Sequence, residues 1–398
     1  MMHLDLQDLG FHRGGALLVK RALGALPEGD SVGVCGTEPD LLIHLRGWCR
    51  IEGHTFEAPE PDSQMAVITR GPYVTQRWHG SERAGGSDPL DPGAVVEQPP
   101  QRWGLAARGA LIEAGSPSFH FALSDKVDVW SAEAVRLYAQ ATAAQWDPAT
   151  AIPWHAEFDL PDEVEDAVVQ IMTYLVENET AALIVPSRFI AQLHPHFREV
   201  MQLLAVQAAD EARHMEVFTR RALLKGRQLG VSTAGGQASL QTLVEEPDFA
   251  IASFLLSVLG EGTFMTLLAF LERFAPDPVT AAVSRLAARD EARHVAFGMA
   301  HLREHIKADP HVLGALATAV SRRHDALRHT SGLNEEVFDA LILMAAGSWL
   351  PADIRTGHAN VTRLIEDMHV GRRSRLLRLG FSEQEADQLS SLHTRNFM

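Results

Sequence analysis

The chain has almost no cysteine: Cys35 and Cys49 are the only two among 398 residues, too few for a disulfide framework or for a Cys-x-x-Cys zinc or redox site. It has no excess of positive charge either. The formal net charge is -16 at pH 7, whereas binding to a phosphate backbone is driven by clustered Lys and Arg, so nucleic acid is excluded as a principal partner. The first residues, MMHLDLQDLG, lack the basic start and apolar stretch of a signal peptide, and no uncharged apolar run approaches membrane-spanning length. The expectation is a cytoplasmic protein with no membrane partner. A composition of 46% hydrophobic and 22% charged residues is ordinary for a globular chain with room for two domains.

Three regions follow from the pattern along the chain. Residues 1–71 read as a small α+β domain, with strands at Ser31–Cys35 and Gln64–Ile68 and a helix over Ala16–Leu26 closed by Pro27. From Gly71 to about Pro117 the composition turns to Gly, Pro, Ser and charge, which predicts a linker, taken as 72–125, without packed elements. Residues 126–398 have helical periodicity, with breaks at Pro148–Pro161, Pro195, Gly226–Gly236, Pro276–Pro278, Pro310 and Pro351.

Within the helical region the pentapeptide Asp-Glu-Ala-Arg-His occurs twice, at Asp210–His214 and Asp290–His294. Residues three apart share one face of a helix, so Glu211 with His214, and Glu291 with His294, can each offer a carboxylate and an imidazole to one ion. A dinuclear site in a bundle also needs one glutamate from each of two further helices. Glu261 is the only acid in the apolar stretch before Glu272, where a lone carboxylate is costly unless compensated. Two residues of an antiparallel hairpin lie level when equidistant from its turn. The midpoint of 261 and 291 is Pro276, and that of 179 and 211 is Pro195. Arms of about 15 residues, roughly 22 Å of helix, place these residues in the middle of a bundle. Glu177 competes with Glu179, which is preferred because it continues the stripe of Val168, Met172, Leu175 and Ala182. Asp210 and Asp290 suit the role of acceptors for the free N–H of a ligand histidine. Surface glutamates and helix-stabilising Glu–Arg pairs would explain one such motif, but not the duplication together with matching hairpin levels.

The order Glu179, Glu211-x-x-His214, Glu261, Glu291-x-x-His294 resembles the ferritin-like di-iron carboxylate superfamily over roughly residues 130–330, and its length and C-terminal helices are similar to the ribonucleotide reductase small-subunit type. The resemblance implies a mainly α fold, a ferritin-like four-helix bundle with extra helices, in which these six side chains hold two iron ions, or manganese with iron, and activate dioxygen as co-substrate. Phe218 stands where reductase subunits carry a radical tyrosine, and Ala287 where arylamine oxygenases of the superfamily add a histidine, so neither specialised chemistry is expected. The rubredoxin-like centre of rubrerythrin-type peroxidases needs four cysteines, which the chain does not have. The N-terminal region is similar to the small TusA-like βαβαββ fold through Asp5-Leu6, Lys20-Arg21-Ala22-Leu23, Thr37-Glu38-Pro39 and Trp48-Cys49-Arg50. The carrier cysteine of that family would fall near His12, so carrier chemistry is expected to be lost, with Cys49 in the core and docking as the residual role.

The leading expectation is a dioxygen-dependent di-iron oxidase or oxygenase acting on a small organic substrate, with an electron-donor protein and a homodimer as partners. A ferroxidase or peroxide-detoxifying protein and a non-catalytic metal-binding scaffold are the alternatives. Tyr174 is expected near the site, with core packing as its plainer role, and Leu203, Leu204, Phe254, Phe264, Met265 and Phe270 are candidates for a pocket wall or simply core. His301 and His305 are expected at the surface or capping, and Arg372, Arg373, Arg375 and Arg378 on a solvated helix face.

Overall fold

Along β2 (Ser31–Cys35) the valines at 32 and 34 point to one side of the strand and Gly33 to the other, and that alternation organises a small sheet. A computed structural model of the chain describes residues 2–61, 63–72, 78–91, 93–328 and 335–392. The sheet contains β1 (Met2–Asp5), β2, β3 (Thr55–Glu57) and β4 (Ala66–Thr69) in the order β1-β2-β4-β3. The first pair is parallel and the other two antiparallel. With α1 (Gly15–Gly24) between β1 and β2, and α2 (Leu41–Glu52) between β2 and β3, the element order is the expected βαβαββ. Val19 and Leu23 on α1, and Leu41, Leu45 and Cys49 on α2, recur every four residues and form one apolar core with Val32, Val34, Ala66 and Ile68. Gly33 is where the other face is closed: a Cβ there would lie 2.4 Å from the Met65 sulfur. Burial pushes the Cys49 thiol up to about 12, as befits a core residue.

The chain divides into two compact units, one running through Ala84 with Ala110–Pro117 added, the other comprising Gly85–Gly109 and the chain from Ser118 onward. The segment read as a linker without packed elements is thus shared between them, and its described part is packed, which corrects that expectation. In the first unit β5 (Glu82–Arg83) pairs with β6 (Leu111–Ile112). In the second, Val95 joins the apolar core, the Trp103 ring lies 5.2 Å from that of His196, and Arg108 forms a two-pronged ion pair with Glu199 at 2.8 and 2.6 Å. Composition missed this because a few anchoring side chains can hold a loop that has no periodicity.

The second unit contains α3 (Lys126–Val129), α4 (Glu133–Ala143), α5 (Asp162–Ile190), α6 (Arg198–Leu223) and α7 (Ala234–Val244). These are followed by α8 (Phe249–Phe274), α9 (Pro278–Ala308), α10 (Val312–Leu327), α11 (Glu335–Ala346), α12 (Pro351–Leu379) and α13 (Glu383–Ser391). Pro195 opens the turn between α5 and α6. Asp277 caps α9, accepting the N–H groups of Val279 and Thr280 at 2.9 and 2.8 Å. Both hairpins therefore turn where the sequence levels require. One apolar cluster takes in Ala181–Phe189 side chains of α5, Leu203 and Leu204, Phe254 and Val295; a second takes in Val168–Leu175 side chains, Phe218, Phe264 and Ala287. Along each of the four helices Glu179, Glu211, Glu261 and Glu291 fall between the two, so a polar layer separates two oily ones.

By length and composition helices α5 and α8 could cross a membrane, although neither is an uncharged run. Their most apolar windows are 67% and 83% buried within the protein, so that surface is already covered by neighbouring helices, and each carries a buried glutamate, at 179 and 261, near its middle. The central part of α8, Phe254–Glu261, is wound as a π-helix, a rare form that concentrates at functional sites and leaves carbonyls in need of new partners. Arg375 of α12 supplies one, donating Nε to the Val258 carbonyl at 2.7 Å. Gly262 permits this approach, because a Cβ there would lie 2.5 Å from Arg375 Nε. Arg372 and Arg375 are only 3% and 7% exposed, which corrects the reading of this stretch as a solvated face. Arg373 is half-buried and Arg378 exposed.

Candidate metal centre

The four glutamates and two histidines singled out by spacing meet inside the bundle, all at most 3% exposed. They form two overlapping groups, Glu179, Glu211, His214 and Glu291, and Glu211, Glu261, Glu291 and His294; within each group one ligand atom per residue lies within 4.8 Å of all the others. Glu211 and Glu291 belong to both. His214 Nδ1 lies 3.1 Å from Glu211 Oε2, 3.4 Å from Glu291 Oε1 and 3.5 Å from Glu179 Oε2. His294 Nδ1 lies 3.0 Å from Glu211 Oε1, 3.3 Å from Glu291 Oε2 and 3.9 Å from Glu261 Oε1. Of the two candidates on α5, Glu179 is buried and belongs to one group, whereas Glu177 is half-buried and lies outside both.

The far nitrogens of the two imidazoles are held crosswise. His214 Nε2 lies 3.2 Å from Asp290 Oδ2, and His294 Nε2 lies 3.3 Å from Asp210 Oδ2, so each motif's aspartate orients the other motif's histidine. A layer of donors surrounds the aspartates. Trp146 Nε1 donates to Asp290 at 2.8 Å, Gln145 Nε2 to Asp210 at 2.9 Å, and Arg213 to both, at 2.7 Å to Asp290. Arg293 also binds Asp290. The Arg213 guanidinium lies 4.6 Å from the centre of the Trp146 ring, a cation–π arrangement. On the opposite side Gln207 Nε2 donates to Glu261 Oε1 at 2.9 Å.

The charge state follows from this burial. Burial, with Glu211 and Glu291 beside it, pushes the Glu179 carboxyl well above the usual carboxylate range, and burial with Glu291 does the same to Glu261. Burial acts in that direction on Glu211 too, but His294 and His214 outweigh it and hold that carboxyl below the range. Burial opposes a charge on the imidazoles, yet Asp290, Glu179 and Glu211 raise His214, and Glu211 and Asp210 raise His294, well above the ordinary histidine value.

Glu179 Oε1, Glu211 Oε1, Glu261 Oε2, Glu291 Oε2 and His294 Nδ1 are buried without a hydrogen-bond partner. Orphaned polar atoms in a closed interior are rare, and five of them converging on one spot fit cations rather than a protein partner. Two Glu-x-x-His helices and two single-glutamate helices around one cluster make up the dimetal-carboxylate arrangement of ferritin-like bundles. The fold is of that ferritin-like kind.

No protein-family model matches the chain, and no curated protein matches it by sequence. Among solved structures, it is similar to an R2-like ligand-binding oxidase variant with aerobically reconstituted Mn/Fe cofactor, at 17% identity over 64% of this chain and 97% of that one, with a TM-score of 0.49. It is also similar to the R2-like ligand-binding oxidase from Sulfolobus acidocaldarius, at 16% identity over 64% and 93%, with a TM-score of 0.43.

Other candidates are placed differently. Tyr174 is buried one turn and more before Glu179, edge-on to Phe264 at 5.9 Å, and belongs to neither group; burial pushes its phenol further above its ordinary value. Leu203, Leu204, Phe254, Phe264, Met265 and Phe270 pack into or against the two apolar cores. Phe218 lies 6.3 Å from the His214 ring, and Ala287 is fully buried. His301 is fully buried between Phe249 and Phe297, at 5.1 and 6.0 Å, which corrects its expected surface place; the stripe that carries His294 inward also carries a residue two turns on. Sequence reasoning did not find Gln145, Trp146, Gln207, Arg213 or Arg293. The two arginines sat inside the repeated motif and were readable there; Gln145 and Trp146 lie in an irregular loop with no signal of their own.

Proposed function

We propose that the chain is a dimetal oxidoreductase, an oxidase or oxygenase that uses dioxygen to oxidise a small organic molecule. The observation that supports this most directly is the pair of four-residue groups sharing Glu211 and Glu291. Glu179, Glu211, His214 and Glu291 would hold one ion, and Glu211, Glu261, Glu291 and His294 the other, with iron in both places or manganese in one. Carboxylate oxygens with one imidazole per ion suit these metals, which when bound would supply the capacity to reduce dioxygen.

The chain's own residues set the conditions. Four carboxylates offset two divalent charges, and the protons held by the raised Glu179 and Glu261 carboxyls would leave as ions enter. Asp210 and Asp290 accept the Nε2 protons of the histidines, which keeps Nδ1 unprotonated toward the cluster once ions replace the protons there. Arg213 and Arg293 compensate the two aspartates, so the orienting layer adds little net charge. The apolar layers above and below exclude water from the oxidising centre. Phe218 beside His214 offers no oxidisable phenol, which fits oxidation of an added substrate rather than storage of a radical at that position.

The test is metal content and oxygen uptake of protein supplied with iron and manganese, beside a Glu211→Ala/His294→Ala variant. About two ions per chain, oxygen uptake by the reduced protein and loss of both in the variant are expected. Two ions without oxygen uptake would favour the scaffold reading, and no bound metal would sink the proposal.

A further inference from the structure

Outside the helical unit, three metal-capable side chains converge in the small α+β unit. His12 lies in the short 3-10 turn Phe11–Arg13, Glu38 in the loop after β2, and His44 one turn into α2. One ligand atom from each lies within 4.8 Å of the others. Phe11 organises the group. Its backbone N–H donates to Glu38 Oε2 at 2.9 Å, which fixes the carboxylate and leaves Oε1 3.9 Å from His12 Nδ1. Its buried ring lies parallel to that of His44, centroids 6.4 Å apart at 4°, and the His44 ring is 5.4 Å from that of His12, the next residue in the chain.

The ion pair does not account for this grouping. His12 is largely exposed, its side chain 59% accessible, and a 3.9 Å contact to a solvated histidine contributes next to nothing. Two imidazoles and one carboxylate are instead the donor set of a three-ligand zinc site that keeps a fourth position open. Bonds of about 2.0–2.2 Å in tetrahedral geometry put ligand atoms roughly 3.4 Å apart. The donors need to close by less than about 1.5 Å, within reach of a rotation of the exposed His12 side chain.

We propose that His12, Glu38 and His44 form a mononuclear binding site for a borderline divalent transition-metal ion, with Zn2+ as its probe, separate from the centre in the helical bundle. Its two imidazole nitrogens and single oxygen set it apart from the oxygen-rich cluster, so it selects a softer ion than the iron or manganese suited to the core. The fourth position is left to water or to a donor from outside the chain.

The test is a zinc titration of the full-length, metal-loaded protein against a chromophoric chelator. One zinc per chain beyond the core metals is expected, with affinity weakened at least about tenfold in both His12→Ala and His44→Ala, less in Glu38→Gln, and unchanged in Glu211→Ala/His294→Ala. His12 is exposed, so the unfolding midpoint of its metal-free variant should equal that of the unsubstituted chain, which separates loss of a ligand from loss of fold. Zinc affinity in the two histidine variants equal to that of the unsubstituted chain would overturn the proposal, as would extra zinc that disappears only in the core variant.

Discussion

Two buried clusters of charge share the same helices and are finished in opposite ways. Around Arg221, which is fully buried, the guanidinium is satisfied on every side: Nη1 and Nη2 reach Glu165 at 2.6 and 3.0 Å, Nη2 reaches Asp277 at 2.7 Å, and Nε reaches Thr280 Oγ1 at 2.8 Å. This network ties α5, α6 and the start of α9 together and closes on itself. Around Glu211 the acids outnumber their donors, and oxygens of all four glutamates remain without a partner. A polar group that serves the fold is matched within the protein, whereas one that serves a ligand is left short of the charge the ligand brings.

Breaking each cluster should therefore have opposite consequences. Arg221→Met strands two buried carboxylates, and denaturant unfolding should show a loss of about 3–5 kcal/mol. If the loss is below about 1 kcal/mol, the network is not the fold-bearing half of the contrast. Asp290→Asn releases the His214 ring while leaving the six cluster residues in place; metal affinity, measured by chelator competition, should fall about 10–100-fold. Glu179→Gln relieves a buried carboxyl of its crowded, charged surroundings. The metal-free protein should gain about 0.5–2 kcal/mol on unfolding while the metal-loaded protein loses stability, and a loss in both states would place Glu179 with the structural group. The smallest effect should come from Arg372→Met. Arg372 Nε and Nη1 are buried without a partner, and burial lowers its guanidinium to about 10, so an apolar replacement should be neutral or stabilise by up to about 1 kcal/mol.

How much was legible beforehand tracks how local each feature is. The motif at 210–214 and its copy at 290–294, together with prolines midway between paired glutamates, located the six cluster residues, because helical period and hairpin symmetry are written in spacing alone. The strands at 31–35 and 64–68 and the helix after Ala16 were readable in the same way, whereas the full βαβαββ order came only from the resemblance to a small carrier fold. The π-wound stretch of α8 was not, since its apolar residues fit an ordinary helix and its partner, Arg375, lies more than a hundred residues away. The inward arginines of α12 looked like a charged face because composition records charge without direction. Arg108 and Trp103 were lost in a Pro- and Gly-rich stretch for a related reason: a loop's anchors declare themselves only through what they touch.

The crosswise hold of Asp210 on His294 and of Asp290 on His214 bears on the order in which the molecule is made. The hairpin of α5 and α6 supplies three residues of one group and only one of the other, and the partner that orients its cluster histidine, His214, is Asp290 of α9. A nascent chain with that hairpin alone has a loose imidazole and an incomplete cage. Docking of α8 and α9 supplies the missing residues of both groups, so the two cages are complete only once those helices are in place.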